Sequence, residues 1–230
     1  MLTRHCQVLV ITVVITRVIT PPPPPMATRR TEPADLRQRI LDTSRAVLDE
    51  QGAAGLSLRE VARRAGVTHQ APYHHFADRE SILAELVTQG FGELERRLAR
   101  AHARSADRQA TLAASGLAYV VFALDNPGVF RIMFRTDLCD QARFPQTQAA
   151  AQRAHGELRQ LVRLVHGSQN APGDEALAAL HWAQVHGLAC LLLDGPLGLQ
   201  LPSRREKLAF VRDAVALHAS RVLGPAPAAG

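Results

Sequence analysis

Residues 56–76 constrain the fold more than any other part of the chain, because they place two helix starts on either side of a glycine turn. Ser57 and Glu60 stand three residues apart, which is the spacing of a capping box at a helix N-terminus. Leu56 and Val61 occupy the hydrophobic positions that flank such a box. The segment therefore predicts a short helix that begins at Ser57.

This short helix is expected to end at Gly66, because glycine adopts the left-handed conformation of a tight turn without steric cost. Thr68 can then cap a third, short helix over residues 68–75. A longer amphipathic helix is predicted before both, over residues 35–51, where apolar residues follow the helical period. A support helix, a short helix, a glycine turn and a second short helix make up a helix-turn-helix.

The third helix carries polar side chains that suit DNA. Gln70 can make bidentate contacts with adenine, and His69 lies beside it. Tyr73 and His74 can donate hydrogen bonds to phosphate. The free backbone N–H groups at the helix starts near Ser57 and at residues 78–79 favour anions as well.

The sequence of residues 56–83, LSLREVARRAGVTHQAPYHHFADRESIL, resembles the signature of the TetR family of bacterial transcription factors, and the likeness extends over residues 35–90. The resemblance implies that Ser57, Tyr73 and His74 hold phosphates, while His69 and Gln70 approach base edges. It also implies packing roles for His75 and Phe76, and it places Arg79 where the family usually has lysine. The candidate DNA-binding residues are thus Ser57, Thr68, His69, Gln70, Tyr73, His74 and Arg79.

Pro72 departs from the family pattern, in which most members carry an aliphatic residue at this position. If Thr68 is the cap, Pro72 lacks the N–H that would bond back to it. Proline is tolerated in a first turn, so we expect the helix to form with an altered opening. The choice between His69, Gln70 and Ala71 as base readers stays open.

Helical periodicity predicts an all-α fold for the rest of the chain, with helices over residues 78–104, 106–125, 129–134, 145–166, 174–193 and 203–223. We divide the chain into a helix-turn-helix domain (26–80), a linking helix (81–104), a ligand-binding and dimerisation domain (105–223) and a disordered tail (224–230). Residues 1–25 are interpreted as a non-native or disordered extension before Met26. Their apolar run, residues 8–19, is too short for a membrane span.

Residues 181–197, HWAQVHGLACLLLDGPL, resemble the WHG-type C-terminal domain found in part of the TetR family, and residues 126–134 agree with it. The resemblance implies that the last two helices form a homodimer interface and that the middle of the domain holds a small-molecule pocket. Our pocket candidates are Phe122, Phe130, Met133, Phe134, Trp182 and His186, and simple core packing is the alternative for each. His186 stands alone on its helix face, and His155 and His166 are similarly isolated, so no metal site is expected.

The charge balance favours an anionic partner. The formal net charge is +6, and Lys207 is the only lysine among 27 basic residues. The three cysteines lie far apart, which argues against a disulfide framework and suits the cytoplasm. No nucleotide-binding, hydrolase or metalloprotease motif occurs, so neither an enzyme nor a cofactor is expected.

The resulting hypothesis is a cytoplasmic repressor that leaves a palindromic double-stranded DNA operator when a small-molecule effector binds. A ligand-responsive activator with the same DNA-binding head, and a helical interaction module that does not bind DNA, remain alternatives.

Overall fold

The computed structural model describes residues 33–105, 107–167 and 171–224. These residues form nine α-helices and two 3-10 turns, without a strand, so the predicted all-α fold is confirmed for the described parts of the chain. The helices are α1 (Pro33–Gly55), α2 (Leu58–Arg64), α3 (Arg79–Arg104), α4 (Arg108–Asp125), α5 (Pro127–Met133), α6 (Pro145–His166), α7 (Asp174–Leu193), α8 (Pro196–Gln200) and α9 (Arg204–Leu223). The 3-10 turns are Ala71–His74 and Gln141–Arg143. The expectations for residues 1–25 and 225–230 lie outside the described residues.

Side-chain caps mark the starts of α3, α4 and α9. The Asp78 carboxylate accepts from the backbone N–H of Ser81 at 2.7 Å, and the Ser81 hydroxyl lies 3.2 Å from the Asp78 N–H. Ser203 and Glu206 form the same reciprocal box at the start of α9. These caps satisfy N–H groups that a helix leaves unpaired at its first turn.

The N-terminal head consists of α1, α2, the Ala71–His74 turn and the first turns of α3. Its core is aliphatic and includes Ile40, Leu41, Leu48, Val61 and Ile82, each fully buried. Gly52, at φ 67°, kinks the last turn of α1 and redirects the chain toward α2.

Helix α3 runs from this head into the C-terminal part and packs against α4, α5 and α6. Its apolar stripe is buried along its whole length, as the periodicity predicted: Ile82, Leu83, Leu86, Val87, Phe91, Leu94 and Leu98. Between α4 and α5 the chain bends by 110° at Asn126. The bend turns α5 back toward α1 in the head.

Candidate DNA-binding surface and ligand cavity

The predicted capping box at α2 forms only in half. The Ser57 hydroxyl accepts from the backbone N–H of Glu60 at 3.2 Å. The Glu60 carboxylate does not return to Ser57; it accepts from Arg63 at 2.7 Å and Arg64 at 2.7 Å. These hydrogen bonds lower the pKa of Glu60 to about 2, so the side chain is held as an anion by the two guanidinium groups.

The third helix predicted over residues 68–75 is wrong in type and extent, because a single 3-10 turn, Ala71–His74, takes its place. In an α-helix starting at Thr68, the N–H of residue 72 would bond to the Thr68 carbonyl, and Pro72 has none. The Ala71 N–H takes that carbonyl instead, at 3.0 Å, which sets the tighter 3-10 spacing. Thr68 therefore supplies a backbone carbonyl and is not the side-chain cap.

We call residues 68–75 the recognition segment. It presents a polar surface. Thr68, His69, Gln70 and His74 are exposed, and the Tyr73 side chain is 53% exposed. The Gln70 amide nitrogen lies 3.0 Å from Nε2 of His69, so these two candidate base readers bond to each other.

Packing beneath the recognition segment follows the prediction in part. Phe76 is buried, with the guanidinium of Arg37 over its ring at 5.2 Å. His75 is only half-buried. Pro72 is buried as well, so the turn is anchored from below by two apolar rings.

Arg79 bonds within the head. Its Nε donates to the Leu56 carbonyl at 2.9 Å, and its Nη2 donates to the Ala53 carbonyl at 2.6 Å. These carbonyls lie where α1 ends, and helix ends leave such groups unpaired. Arg79 thus joins the start of α3 to the end of α1; a DNA contact by its remaining donors stays a prediction.

Arg59 is a further DNA-binding candidate that the sequence pattern did not single out. It lies in the first turn of α2, two residues from Ser57, and it is exposed. Within residues 33–105, 107–167 and 171–224 it has no hydrogen-bond or ion-pair partner, in contrast to its neighbours Arg63 and Arg64. Nothing in the sequence signals this difference, because all three arginines occur in one short run.

A cavity of about 370 Å³ lies between α3, α4, α6, α7 and α9, with the end of α5 at its wall. Three of the six predicted pocket residues, Met133, Phe134 and Trp182, line it. Phe122, Phe130 and His186 are not among the residues that line it, so a ligand contact by these three stays a prediction. Phe122 is fully buried in the core, where the guanidinium of Arg97 lies 5.7 Å from its ring centroid.

Phe130 and His186 support the wall from behind. The Trp182 indole N–H donates to the Tyr119 hydroxyl at 3.0 Å, and that hydroxyl lies 2.9 Å from Nδ1 of His186. Because an indole nitrogen can only donate, the Tyr119 oxygen accepts the hydrogen bond from Trp182. The same hydroxyl ties His186 to this pair. Phe130 packs against Tyr119 at 5.9 Å between ring centroids.

Burial raises the pKa of Tyr119 and lowers the pKa of His186, so both stay neutral near pH 7. The spacing of Trp182 and His186 places both on one face of α7, but nothing in the sequence pointed to Tyr119 on α4. The WHG-type segment thus contributes to a hydrogen-bonded support for the wall.

Two histidines that the sequence analysis did not place in the pocket, His181 and His218, also line it. His181 Nε2 lies 3.0 Å from Nε2 of His166, so the expectation that His166 is isolated is wrong. The two residues are 15 apart in sequence, and only the packing of α6 on α7 brings them together. Across the described ranges no group of three or more metal-ligating side chains occurs.

A second hydrogen-bonded network, partly buried, lies beside the cavity and consists of Ser115, His102 and Glu157. His102 lies 3.0 Å from Glu157 through Nδ1 and 3.2 Å from Ser115 through Nε2. The order resembles a hydrolase triad, but Ser115 lies inside α4, where neighbouring N–H groups are bonded along the helix. These N–H groups cannot form the oxyanion hole that acyl transfer needs. We interpret the network as a polar link between α3, α4 and α6.

Over the described residues, an all-helical fold with a helix-turn-helix head and a cavity-bearing C-terminal part is the architecture of a DNA-binding transcriptional regulator. Comparison with known families agrees. The model of "Bacterial regulatory proteins, tetR family" matches residues 40–86, and that of "Tetracyclin repressor-like, C-terminal domain" matches residues 112–216. This protein belongs to the TetR family of transcriptional regulators.

Solved structures share the fold over most of the chain. A protein of unknown function from Rhodococcus sp. RHA1 is 30% identical, with a TM-score of 0.66, over 83% of this chain and 96% of that one. The TetR-family regulator PfmR from Thermus thermophilus is 20% identical, with a TM-score of 0.61, over 80% and 97%. The HTH-type transcriptional regulator AcrR of Shigella flexneri is 40% identical over 67 residues, which are 28% of this chain and 31% of AcrR.

Proposed function

We propose that this protein is a cytoplasmic, homodimeric repressor that binds a palindromic operator and leaves it when a small molecule occupies the cavity. The observation that carries the proposal is the position of α5. Its last residue, Met133, lines the cavity, while its first turn contacts α1 in the DNA-binding head. One short helix thus touches both the cavity and the head.

Close packing around α5 supports this coupling. A side-chain carbon added at Gly90 on α3 would lie 2.8 Å from Val129 and 2.9 Å from Met133. A carbon added at Gly128 would lie 2.6 Å from the backbone of Leu48 on α1. Gly128 abuts the main chain of α1, which cannot yield easily, and Gly90 abuts the Val129 and Met133 side chains of α5, so we expect a shift of Met133 by a ligand to reach both α3 and α1. The ligand then favours a second arrangement of the heads, provided it binds that arrangement more tightly.

An uncovered apolar face on α7 and α9 supports the homodimer. Leu180 is 64% exposed and Leu191 44% exposed on α7, and Leu217 is 58% exposed on α9. A side-chain carbon added at Gly187, on the same face of α7, would meet nothing within 4 Å in its own chain. Helix α7 is also long and apolar enough to cross a membrane, and 22% of its apolar stretch is buried within the protein. A partner subunit accounts for that apolar surface, and two symmetric heads suit a palindrome.

The test is selection of genomic fragments by the full chain, followed by sequencing. We expect a palindrome whose half-sites lie about one helical turn, roughly 10 base pairs, apart or a multiple of it. A matched variant, Gln70→Ala, should retain its fold and dimer while losing preference at specific base pairs. Random recovery of fragments by folded, dimeric protein at moderate salt contradicts the proposal and favours the interaction module.

A reporter placed behind the recovered site separates repressor from activator. Repression predicts that transcription rises when the gene for this protein is deleted. A fall on deletion supports the activator, which needs the same DNA-binding head.

A further inference from the structure

His218 stands out among the polar groups of the cavity wall because its Nε2 atom is buried and has no hydrogen-bond partner among the described residues. An unpaired buried polar group costs about 1–3 kcal/mol and calls for a ligand, an ion or a water at that place. The imidazole lines the cavity, so the cavity offers the space for such a partner.

The other enclosed polar groups of the wall are already paired. Ser115 bonds to His102, and His181 bonds to His166. The Tyr119 hydroxyl accepts the Trp182 N–H and also bonds to His186. His155 and Thr136 lie on exposed surface, where water can reach them. His218 is therefore the wall group that a ligand can satisfy from inside.

The enclosed part of the wall offers no charge to a ligand, whereas His155 lies on its exposed side, 3.5 Å from the Glu175 carboxylate. None of the described residues that line the cavity is Asp, Glu, Lys or Arg. Burial lowers the pKa of His181 to about 4 and also lowers the pKa of His218 and of its neighbour His166, so the imidazoles are neutral near pH 7. An ionised ligand would lose its hydration here without a counter-charge, which costs several kcal/mol.

The rest of the wall is apolar and sets the size of the ligand. Phe91, Leu94, Leu158 and Val185 belong to it, together with Phe134 and the Trp182 ring. A volume of 370 Å³ corresponds to about 12 waters at roughly 30 Å³ each. The cavity thus suits a molecule of about 12–15 non-hydrogen atoms.

We infer that the cavity binds an uncharged, mainly apolar molecule of this size whose single hydroxyl or carbonyl group hydrogen-bonds to His218. The inference rests on the proposed function for its regulatory meaning, but binding itself is measured without DNA. An imidazole nitrogen donates or accepts according to tautomer, so a hydroxyl fits either state.

Three matched probes test this inference: 4-hexylphenol, hexylbenzene and 4-hexylbenzoate, which share one apolar frame and differ in the polar group. Trp182 is the only tryptophan of the chain and lies in the wall, so its fluorescence reports binding. We expect the full-length protein at pH 7 to bind 4-hexylphenol at least about tenfold more tightly than the ionised 4-hexylbenzoate. Equal or tighter binding of the benzoate, or no binding of any probe, overturns the inference.

Variants at His218 test the residue. His218→Leu removes a nitrogen without a partner, so the fold should persist, as thermal unfolding would verify. We expect this variant to bind 4-hexylphenol about fivefold more weakly and hexylbenzene with unchanged or greater affinity. His218→Gln, which retains a hydrogen-bonding group, should recover part of the phenol affinity. Equal losses for phenol and hexylbenzene in His218→Leu overturn the role of His218.

Operator binding in the presence of bound probe separates the two proposals. If 4-hexylphenol binds with the expected selectivity and leaves operator affinity unchanged, ligand-controlled release fails while the ligand class stands. If 4-hexylbenzoate alone binds, and the protein then leaves the operator, ligand-controlled release is supported and the inferred class of uncharged ligand is wrong.

Discussion

The Asp49 carboxylate accepts a 2.7 Å hydrogen bond from the backbone N–H of Gly128, which joins the last turns of α1 to the first turn of α5. A second bond runs beside it, from the Arg45 guanidinium to the Asn126 side-chain oxygen at 2.9 Å. The DNA-binding head and the cavity wall therefore meet at a polar joint with no room for an additional methyl group. The joint explains why glycine follows Asn126-Pro127 in this chain.

Gly128→Ala should destabilise the protein. The added carbon meets the α1 backbone at 2.6–2.7 Å, so a helix must move, and overpacking of this kind costs about 1–3 kcal/mol. Urea unfolding measures the change. Gly156→Ala in the interior of α6 is the matched control, because its new carbon meets nothing within 4 Å. That control should gain about 0.5–1 kcal/mol; a Gly128→Ala protein as stable as the control contradicts the tight joint.

Tyr73→Phe should weaken DNA binding by a similar factor for every sequence, because the exposed hydroxyl is proposed to bond to phosphate. Loss of one hydrogen bond per head should lower the DNA-binding affinity by about fivefold for each half-site. Titration against the operator and against scrambled DNA measures it. A loss confined to one operator variant indicates a base contact instead.

Arg59→Gln should reduce the salt dependence of DNA binding. An unpaired exposed arginine at the start of α2 can neutralise one phosphate, so the slope of log affinity against log salt should fall by about one per head. Arg135→Gln is the control, since Arg135 is exposed in the C-terminal part and pairs with Asp137 at 2.6 Å. An unchanged slope in Arg59→Gln removes this residue from the interface.

Leu180→Glu should convert the proposed dimer into a monomer, because it buries a carboxylate in the α7–α9 interface. Sedimentation equilibrium measures the mass. Leu164→Glu changes a leucine that is 41% exposed on α6, outside the proposed interface, and should leave the mass unaltered. A dimeric Leu180→Glu protein places the interface elsewhere.

Acid should destabilise the protein between pH 6.5 and 4 through His181. Burial first, and then the neighbouring His166 and His218, lower the pKa of His181 in the folded state from 6.5 to about 4. In this window the unfolded chain binds more protons, so the free energy of unfolding falls as pH falls, by up to about 3 kcal/mol. The slope of the unfolding free energy against pH, measured by unfolding at several pH values, should be shallower in His181→Phe. An equal slope in both proteins rules out His181 as the source of the acid sensitivity.

Sequence reasoning succeeded where the determinants are local. Gly167 adopts φ 68° and ends α6 at His166, and α7 covers the predicted residues 174–193. Caps, glycines and apolar periodicity lie within a few residues of the boundaries that they set. The helix predicted over the recognition segment was wrong because Pro72 has no N–H to donate, and this single missing hydrogen bond outweighed the propensity for an α-turn.

The cavity was harder to predict because its wall is assembled from distant parts of the chain. Tyr119 and Trp182 are 63 residues apart, and their hydrogen bond depends on how α4 packs on α7. Phe122 and Phe130 were candidates for the pocket with core packing as the alternative, and the sequence could not separate a core position from a wall position. Arg79 shows the same limit, since its role depends on carbonyls 23 and 26 residues earlier.

The 3-10 form of the Ala71–His74 turn limits how much sequence information one subunit can extract from DNA. At about 2 Å of rise per residue, the four residues of the turn extend about 8 Å, little more than two base-pair steps of about 3.4 Å, and the candidate base readers His69 and Gln70 lie directly before it. A head of this reach distinguishes few positions directly. If the operator is the palindrome proposed above, most of its information content should then reside in the spacing and symmetry of its half-sites and in the deformability of the base pairs between them.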